Sequence, residues 1–203
     1  MSKSTAKTKE ALLQAGLELF GKYGYSFVTV KQVSEYTGIN SALISYHFGG
    51  KENYYVAVVR YGVDKLIAWF QEFDVSNLEE LSKEELQEKI HAGLKLFLSW
   101  YCHPDGINSL YIYYRDMIVG DNQAALAEYN RSIDGVGAKY IKLLSTYYQK
   151  IDNQTTNPEF ILLSMVSFVH SFVIHHRGPS SASEQFSDAK TEESLLKLML
   201  NGI

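Results

Sequence analysis

Apolar positions recur at helical spacing along almost the whole chain, and no stretch alternates as a half-buried strand does. Leu12, Gly16, Leu19 and Phe20 share one face of a first helix predicted over residues 5–23, and Gly24 stands where a residue of positive φ would end it. Thr29 and Gln32 have capping-box spacing: the hydroxyl can accept from the amide of residue 32 while the amide side chain reaches back to the cap's own N–H. A short second helix to Thr37 follows. Gly38 supplies a tight turn, and Asn40 is a good N-cap for a third short helix that ends at Phe48 before Gly49-Gly50. Two short helices joined by a three-residue, glycine-containing turn make a helix-turn-helix.

Beyond Lys51 the predicted helices lengthen. A fourth covers residues 51–73, and a second capping box, Ser82 to Glu85, opens a fifth with Leu86, Ile90, Leu94, Phe97 and Tyr101 on one side. His103-Pro104-Asp105-Gly106 is expected to close it. A sixth helix is predicted over 108–119, and Gly120 with Asp121 as cap begins a long seventh to Ile151, weakened by Gly135 and Gly137 so that a kink or break is expected there. Asn157-Pro158 pairs an N-cap with a first-turn proline and opens an eighth helix to Arg177, apolar nearly all round and therefore expected to be buried on most sides. The serine-rich segment 178–187 reads as a loop. Residues 191–200 read as a terminal amphipathic helix through Leu195, Leu196, Met199 and Leu200. The fold class is thus all-α with about nine helices, a helix-turn-helix module over residues 1–50 and a larger helical domain over 51–203.

Composition narrows the function classes. With 203 residues the chain can bury a real core, and 46% apolar with 21% charged residues argues against disorder or a collagen-like chain. Cys102 is the single cysteine, which excludes an intrachain disulfide framework and a multi-cysteine zinc site; without a secretory leader pattern, the expected compartment is the reducing cytoplasm. The greasiest stretch, residues 160–174, is interrupted by Ser164, Ser167, His170 and Ser171 and falls short of the roughly 20 apolar residues of a membrane span, so no membrane partner is expected. Charge is uneven. Over residues 1–51 six lysines stand against three glutamates, a balance of +3, which leaves −7 for the remainder of a chain of formal net charge −4. A mildly basic head on an acidic body fits a small nucleic-acid-binding module attached to something with another task.

Catalytic and cofactor chemistry is not written in the chain. Neither a Gly-x-Ser-x-Gly elbow, a phosphate loop, a His-Glu-x-x-His pair nor a dinucleotide fingerprint occurs. His175 and His176 are adjacent and project about 100° apart on a helix, so they cannot share a metal as i, i+4 histidines can. Cys102-His103 fails for the same reason. The expectation is no cofactor, no metal and no enzyme.

The run from Thr29 to Asn53, Thr-Val-Lys-Gln-Val-Ser-Glu-Tyr-Thr-Gly-Ile-Asn-Ser-Ala-Leu-Ile-Ser-Tyr-His-Phe-Gly-Gly-Lys-Glu-Asn, resembles the DNA-binding domain of TetR-family transcriptional regulators. The preceding Leu-Leu-Gln-Ala-Gly-Leu-Glu-Leu-Phe-Gly-Lys-Tyr-Gly, from Leu12 to Gly24, resembles that family's first helix and turn. Together the match covers about a quarter of the chain, and Asn40, Ala42, Ile44, Tyr46, Phe48 and Gly49 look most like its CecR-type branch. The resemblance implies a homodimeric repressor, less often an activator, that places its third helix in the major groove of a palindromic double-stranded DNA operator and is released by a small, partly apolar effector. Thr29 matches a cap that meets a phosphate, as helix N-termini favour anions. Lys31 sits one turn in. Asn40 leads into the third helix; Ser41, Ala42 and Ser45 match positions facing base edges. Tyr46, His47 and Lys51 match positions that clamp the backbone. Ala42, Ser45 and Gly50 depart from the commoner Gly, Tyr and Ser, which removes one bulky groove contact; Lys3, Lys7 and Lys9 can compensate as a basic arm.

Several residues carry two readings. Tyr46 is a phosphate contact or a core aromatic, and Phe48 already serves the core phase. Trp69, Phe97, Trp100, Tyr101, Tyr111, Tyr114, Tyr147, Met165 and Phe168 are individually ordinary core residues, yet fifteen tyrosines are many polar tips to bury, and a ligand pocket uses phenols. Arg115, within Tyr113-Tyr114-Arg115-Asp116, can hold an anionic ligand or pair with a carboxylate. His170 is the best single polar ligand contact, weighed against a satisfied core histidine. The eighth and ninth helices are assigned to a dimer bundle, as the family arrangement implies. Two other classes stay open: a ligand-independent architectural or partner-regulated DNA-binding protein, and an enzyme or carrier with a vestigial head.

Overall fold

The computed structural model describes residues 3–119, 122–153 and 155–177. Among the described residues all regular structure is helical: α1 (Lys3–Tyr23), α2 (Val30–Thr37), α3 (Ala42–Phe48), α4 (Lys51–Trp69), α5 (Lys83–Cys102), α6 (Pro104–Val119), α7 (Gln123–Ser132), α8 (Ala138–Lys150) and α9 (Pro158–Arg177). Short 3-10 turns lie at Tyr25–Phe27 and Leu78–Glu80, and a π turn at Ile133–Gly137 joins α7 to α8. The proposed cap Gly120-Asp121, the loop over 178–187 and the terminal helix over 191–200 lie outside the described residues.

Both capping boxes form. Thr29 Oγ1 accepts from the Gln32 amide at 3.2 Å while Gln32 Oε1 accepts from the Thr29 amide at 2.7 Å. Ser82 and Glu85 repeat the exchange at 3.1 and 2.6 Å, and α5 starts at Lys83. The break expected at Gly135 and Gly137 is the π turn, one of the known ways a long helix absorbs a poor helix former.

Two boundaries differ from those the sequence predicts. α4 stops at Trp69, not at Phe73, because Phe70 turns fully into an aromatic core beside Phe97 and Tyr140, at 6.1 and 5.8 Å between ring centroids. There Lys139 Nζ donates to the freed carbonyls of Phe70 and Phe73 at 2.9 and 3.0 Å. α5 closes at Cys102, ahead of His103-Pro104 as expected, but Pro104 also begins α6, four residues ahead of the expected start. Proline lacks only an N–H that the first turn leaves unpaired anyway. At the start of α7, Asn122 Oδ1 accepts from the Ala125 amide at 3.0 Å.

The chain forms two compact units, residues 1–69 with 103–134 and residues 70–102 with 135–203. In the first, α1 packs on α2, α4 and α6, and α4 on α3, α6 and α7. Leu12, Leu17, Phe20, Val33, Ile44, Tyr54, Tyr55 and Val58 are its centre. The close approach of α1 to α4 requires Gly16. A Cβ there would overlap Val58 Cγ2 and the Tyr54 hydroxyl, both held in the core. In the second unit α5, α8 and α9 pack together around Leu78, Leu86, Ile90, Leu94, Leu143, Leu144 and Tyr147.

The helix α9 departs from its expected burial. Met165, Val169, His170 and Val173 form its buried face, whereas Phe160, Leu163 and Phe168 are 66%, 63% and 41% exposed. Residues 158–175 are also long and apolar enough by composition to cross a membrane, which the sequence reading had not expected. An all-round apolar helix needs cover on several sides, and among the described residues one side is covered.

Candidate functional site

The helix-turn-helix is built from its caps outward. Gly38 adopts the left-handed conformation at φ 70° and ends α2, its amide donating to the Ser34 carbonyl at 2.9 Å. Asn40 Oδ1 then accepts from the Ala42 amide at 2.9 Å, so the side chain read as a cap does start α3. Ile44 is the only fully buried residue of α3. Phe48 anchors the end of α3, its ring 5.0 Å from Tyr54.

With Ile44 and Phe48 turned inward, Ala42, Ser45 and Tyr46 face outward. Tyr46 is 79% exposed, which removes its core reading. Its ring rests edge-on against His47 at 5.0 Å. Ser41 and His47 are half-buried, and Thr29 and Asn40 are exposed. Lys31 extends into solvent with 84% side-chain exposure and a 3.7 Å i, i+4 contact to Glu35. Lys51 is different. Its ammonium lies 4.2 Å over the Tyr25 ring, and burial pulls its pKa below the usual lysine range. Lys9 lies 5.7 Å over the Phe48 ring. Phe27, 78% exposed in the turn before Thr29, was not singled out in the sequence.

The residues weighed as ligand contacts fall in both units. In the second unit Phe97, Tyr101 and His170 are in mutual ring contact, at 5.0 Å for Phe97–Tyr101, 4.7 Å for Tyr101–His170 and 6.0 Å for Phe97–His170. Burial drives the His170 pKa down to about 4, so the ring is neutral. Tyr147 and Met165 lie in the leucine-rich core, with the Tyr147 hydroxyl accepting from Gln87 Nε2 at 2.9 Å; Trp100 is buried and Phe168 is exposed. In the first unit Trp69 sits 5.4 Å from the His103 ring, and Tyr111 and Tyr114 are half-buried with phenol pKa values raised by burial.

Arg115, weighed as an anion or carboxylate partner, is held by backbone carbonyls. Its guanidinium donates to the carbonyls of Phe20 at 2.9 Å, Gly21, and Lys22 at 3.2 Å, the C-terminal end of α1. The neighbouring Asp116 is buried and accepts from the hydroxyls of Tyr55 on α4 at 2.7 Å and Tyr129 on α7 at 3.3 Å. Burial raises the Asp116 carboxyl pKa against the opposing effect of those two hydrogen bonds. Such pairings join positions 13 to 95 residues apart, which helical periodicity does not reveal.

A short, outward-facing α3 behind a capped α2, with cations at its edges, is the geometry of a DNA-reading helix-turn-helix. Residues 12–58 match the family of bacterial regulatory proteins described as the tetR family. Through this module the chain is similar to members of that family. The transcriptional regulator RutR of Escherichia coli is 31% identical over 72 residues, 36% of this chain and 34% of that protein. The dual regulator CecR of Shigella flexneri is 36% identical over 58 residues, 29% of this chain and 26% of that protein. The match thus spans about a third or less of these relatives' length, and it does not single out the CecR-type branch. Over the full chain the fold is that of a TetR transcriptional regulator from Legionella pneumophila, with TM-score 0.66 at 20% identity, covering 100% of this chain and 98% of that one. The Bacillus subtilis regulator FadR, solved in complex with stearoyl-CoA, aligns with TM-score 0.69 at 15% identity over 96% of this chain and 98% of that one.

Proposed function

We propose that the protein is a dimeric, DNA-binding transcriptional regulator of the cytoplasm, a repressor released from a palindromic operator by a small, partly apolar molecule. The observation that carries this reading is the outward face of α3. Ala42, Ser45 and Tyr46 are solvent-facing on a seven-residue helix that is otherwise anchored by Ile44 and Phe48. A methyl and a hydroxyl suit base edges in the major groove; Tyr46, Lys31 and the N-terminus of α2 suit phosphates. The functional division assigns residues 1–50 to DNA and the remainder to effector and dimer. The exposed apolar face of α9 is where a second copy would pack, and the Phe97–Tyr101–His170 group offers apolar walls and one neutral imidazole for an effector. The fold likeness to FadR supports an effector with a long apolar part.

The test is fluorescence anisotropy of the full chain on DNA from its own upstream region, with a scrambled duplex and a salt series. Saturable, sequence-selective binding at two subunits per site, weakened by an acyl-CoA or related amphiphile, is expected. Equal, weak binding to both duplexes would refute the reading.

A further inference from the structure

We infer that Arg115 and Asp116 of α6 are positioning residues for the DNA-reading head, an inference that rests on the regulator reading above. The two side chains leave α6 consecutively and grip the same aromatic cluster from two sides. Arg115 forks across three successive carbonyls, Phe20, Gly21 and Lys22, of the four that a helix C-terminus leaves unpaired. A cation there also meets the negative end of the helix dipole. The Phe20 carbonyl simultaneously accepts from the Gly24 amide at 2.8 Å, and Gly24, at φ 85°, is the residue from which the chain turns toward Thr29 and α2. The aliphatic part of Arg115 lies against that glycine, at 3.4 Å from where a Cβ would sit.

Asp116 completes the grip. It holds the Tyr55 hydroxyl at 2.7 Å, and the Tyr55 ring stands edge-on to Phe20 at 5.0 Å and 4.8 Å from Tyr25. Tyr25 carries Lys51 over its face. Phe20 also meets Tyr54 at 5.7 Å, and Tyr54 meets Phe48, the last residue of α3. Tyr54, which packs on Phe48, and Tyr25, which carries Lys51, therefore each lie against a residue that Arg115 or Asp116 holds, Phe20 and Tyr55 respectively. Neither side chain is on the outward face of α2 or α3, so each acts through the head's placement and not by touching DNA.

Arg115→Lys keeps the charge but replaces the planar fork with a single ammonium, which cannot span three carbonyls. The experiment measures affinity of the full chain for the upstream duplex and for its scrambled control, with circular dichroism as the fold check. A positioning role predicts that Arg115→Lys loses about tenfold of the specific-over-scrambled ratio, within the range common for coupling between sites. Its affinity for scrambled DNA and its salt slope should be unchanged, because no phosphate contact is removed. Asp116→Asn, which keeps an acceptor for Tyr55, should retain most of the ratio, and Asp116→Ala should not. An unchanged ratio in Arg115→Lys would overturn the inference. So would an equal loss on both duplexes with a shallower salt slope, which would mark Arg115 as a phosphate contact, or failure of both Arg115→Lys and Arg115→Gln to fold, which would mark a residue of stability alone. Absence of selectivity in the unaltered protein would instead remove the regulator reading and this inference with it.

Discussion

At the scale of single residues, His170 shows how burial sets chemistry. It is 6% exposed between Phe97 and Tyr101, and the loss of water around a cation pushes its pKa from an ordinary value of about 6.5 to about 4. Between those values the unfolded chain holds a proton that the folded chain does not, so stability rises with pH across the window. The contribution is complete above about pH 6.5 and is lost as pH falls toward 4, amounting at most to about 3 kcal/mol. Urea unfolding of the unaltered protein and of His170→Leu at several pH values from 4 to 7.5 checks this. The stability difference between the two should shift steadily in favour of the leucine variant as pH falls. Parallel curves would show that His170 is not held neutral by the fold. Its candidacy as a ligand contact was visible in the sequence as one polar ring on an apolar helix. The partners that desolvate it were not, because α5 and α9 lie some 70 residues apart in sequence and only packing brings them together.

At the scale of elements, what was legible was local. Both capping boxes, the Gly38 turn, the Asn40 cap and the weak point at Gly135 and Gly137 rest on interactions within five residues, and each has a counterpart in the structure. Pro104 was misplaced because one residue type carries two messages: it stops a helix that precedes it and starts one that follows. The end of α4 was missed because Phe70 leaves the helix for a core built by α5 and α8. The head offers a test of the cap at α2. Thr29→Ala removes the hydroxyl that accepts from Gln32 and should cost about 1 kcal/mol of stability, whereas Thr29→Ser should cost little. If that same N-terminus meets a phosphate, Thr29→Ala should also weaken specific and scrambled DNA alike by roughly fivefold, as loss of one hydrogen bond would. Thermal unfolding and anisotropy on one preparation read both. A stability loss without any change on DNA would leave Thr29 a structural cap only.

At the scale of the whole molecule, the informative element is α9. Helical periodicity reports how many sides of a helix want to be covered, and does not report which chain covers them. The pattern predicts burial on most sides, in a dimer bundle; among the described residues one face is covered and Phe160, Leu163 and Phe168 lie in solvent. Exposed large apolar side chains in a row mark an interaction surface. A symmetric dimer that reads two half-sites needs such a self-complementary surface, since α3 alone is too small to bind an operator tightly. Phe160→Glu with Leu163→Glu should therefore leave the protomer folded, because both positions are already in water, and should shift the protein from dimer to monomer in analytical ultracentrifugation. Operator affinity should fall by about a hundredfold or more, the scale lost when two linked sites become separate. Affinity per subunit for scrambled DNA should stay within a few-fold, since the added carboxylates are not on the head. A double variant that still sediments as a dimer would place the interface elsewhere, and one that is monomeric yet binds the operator as the unaltered protein does would show that a single head suffices.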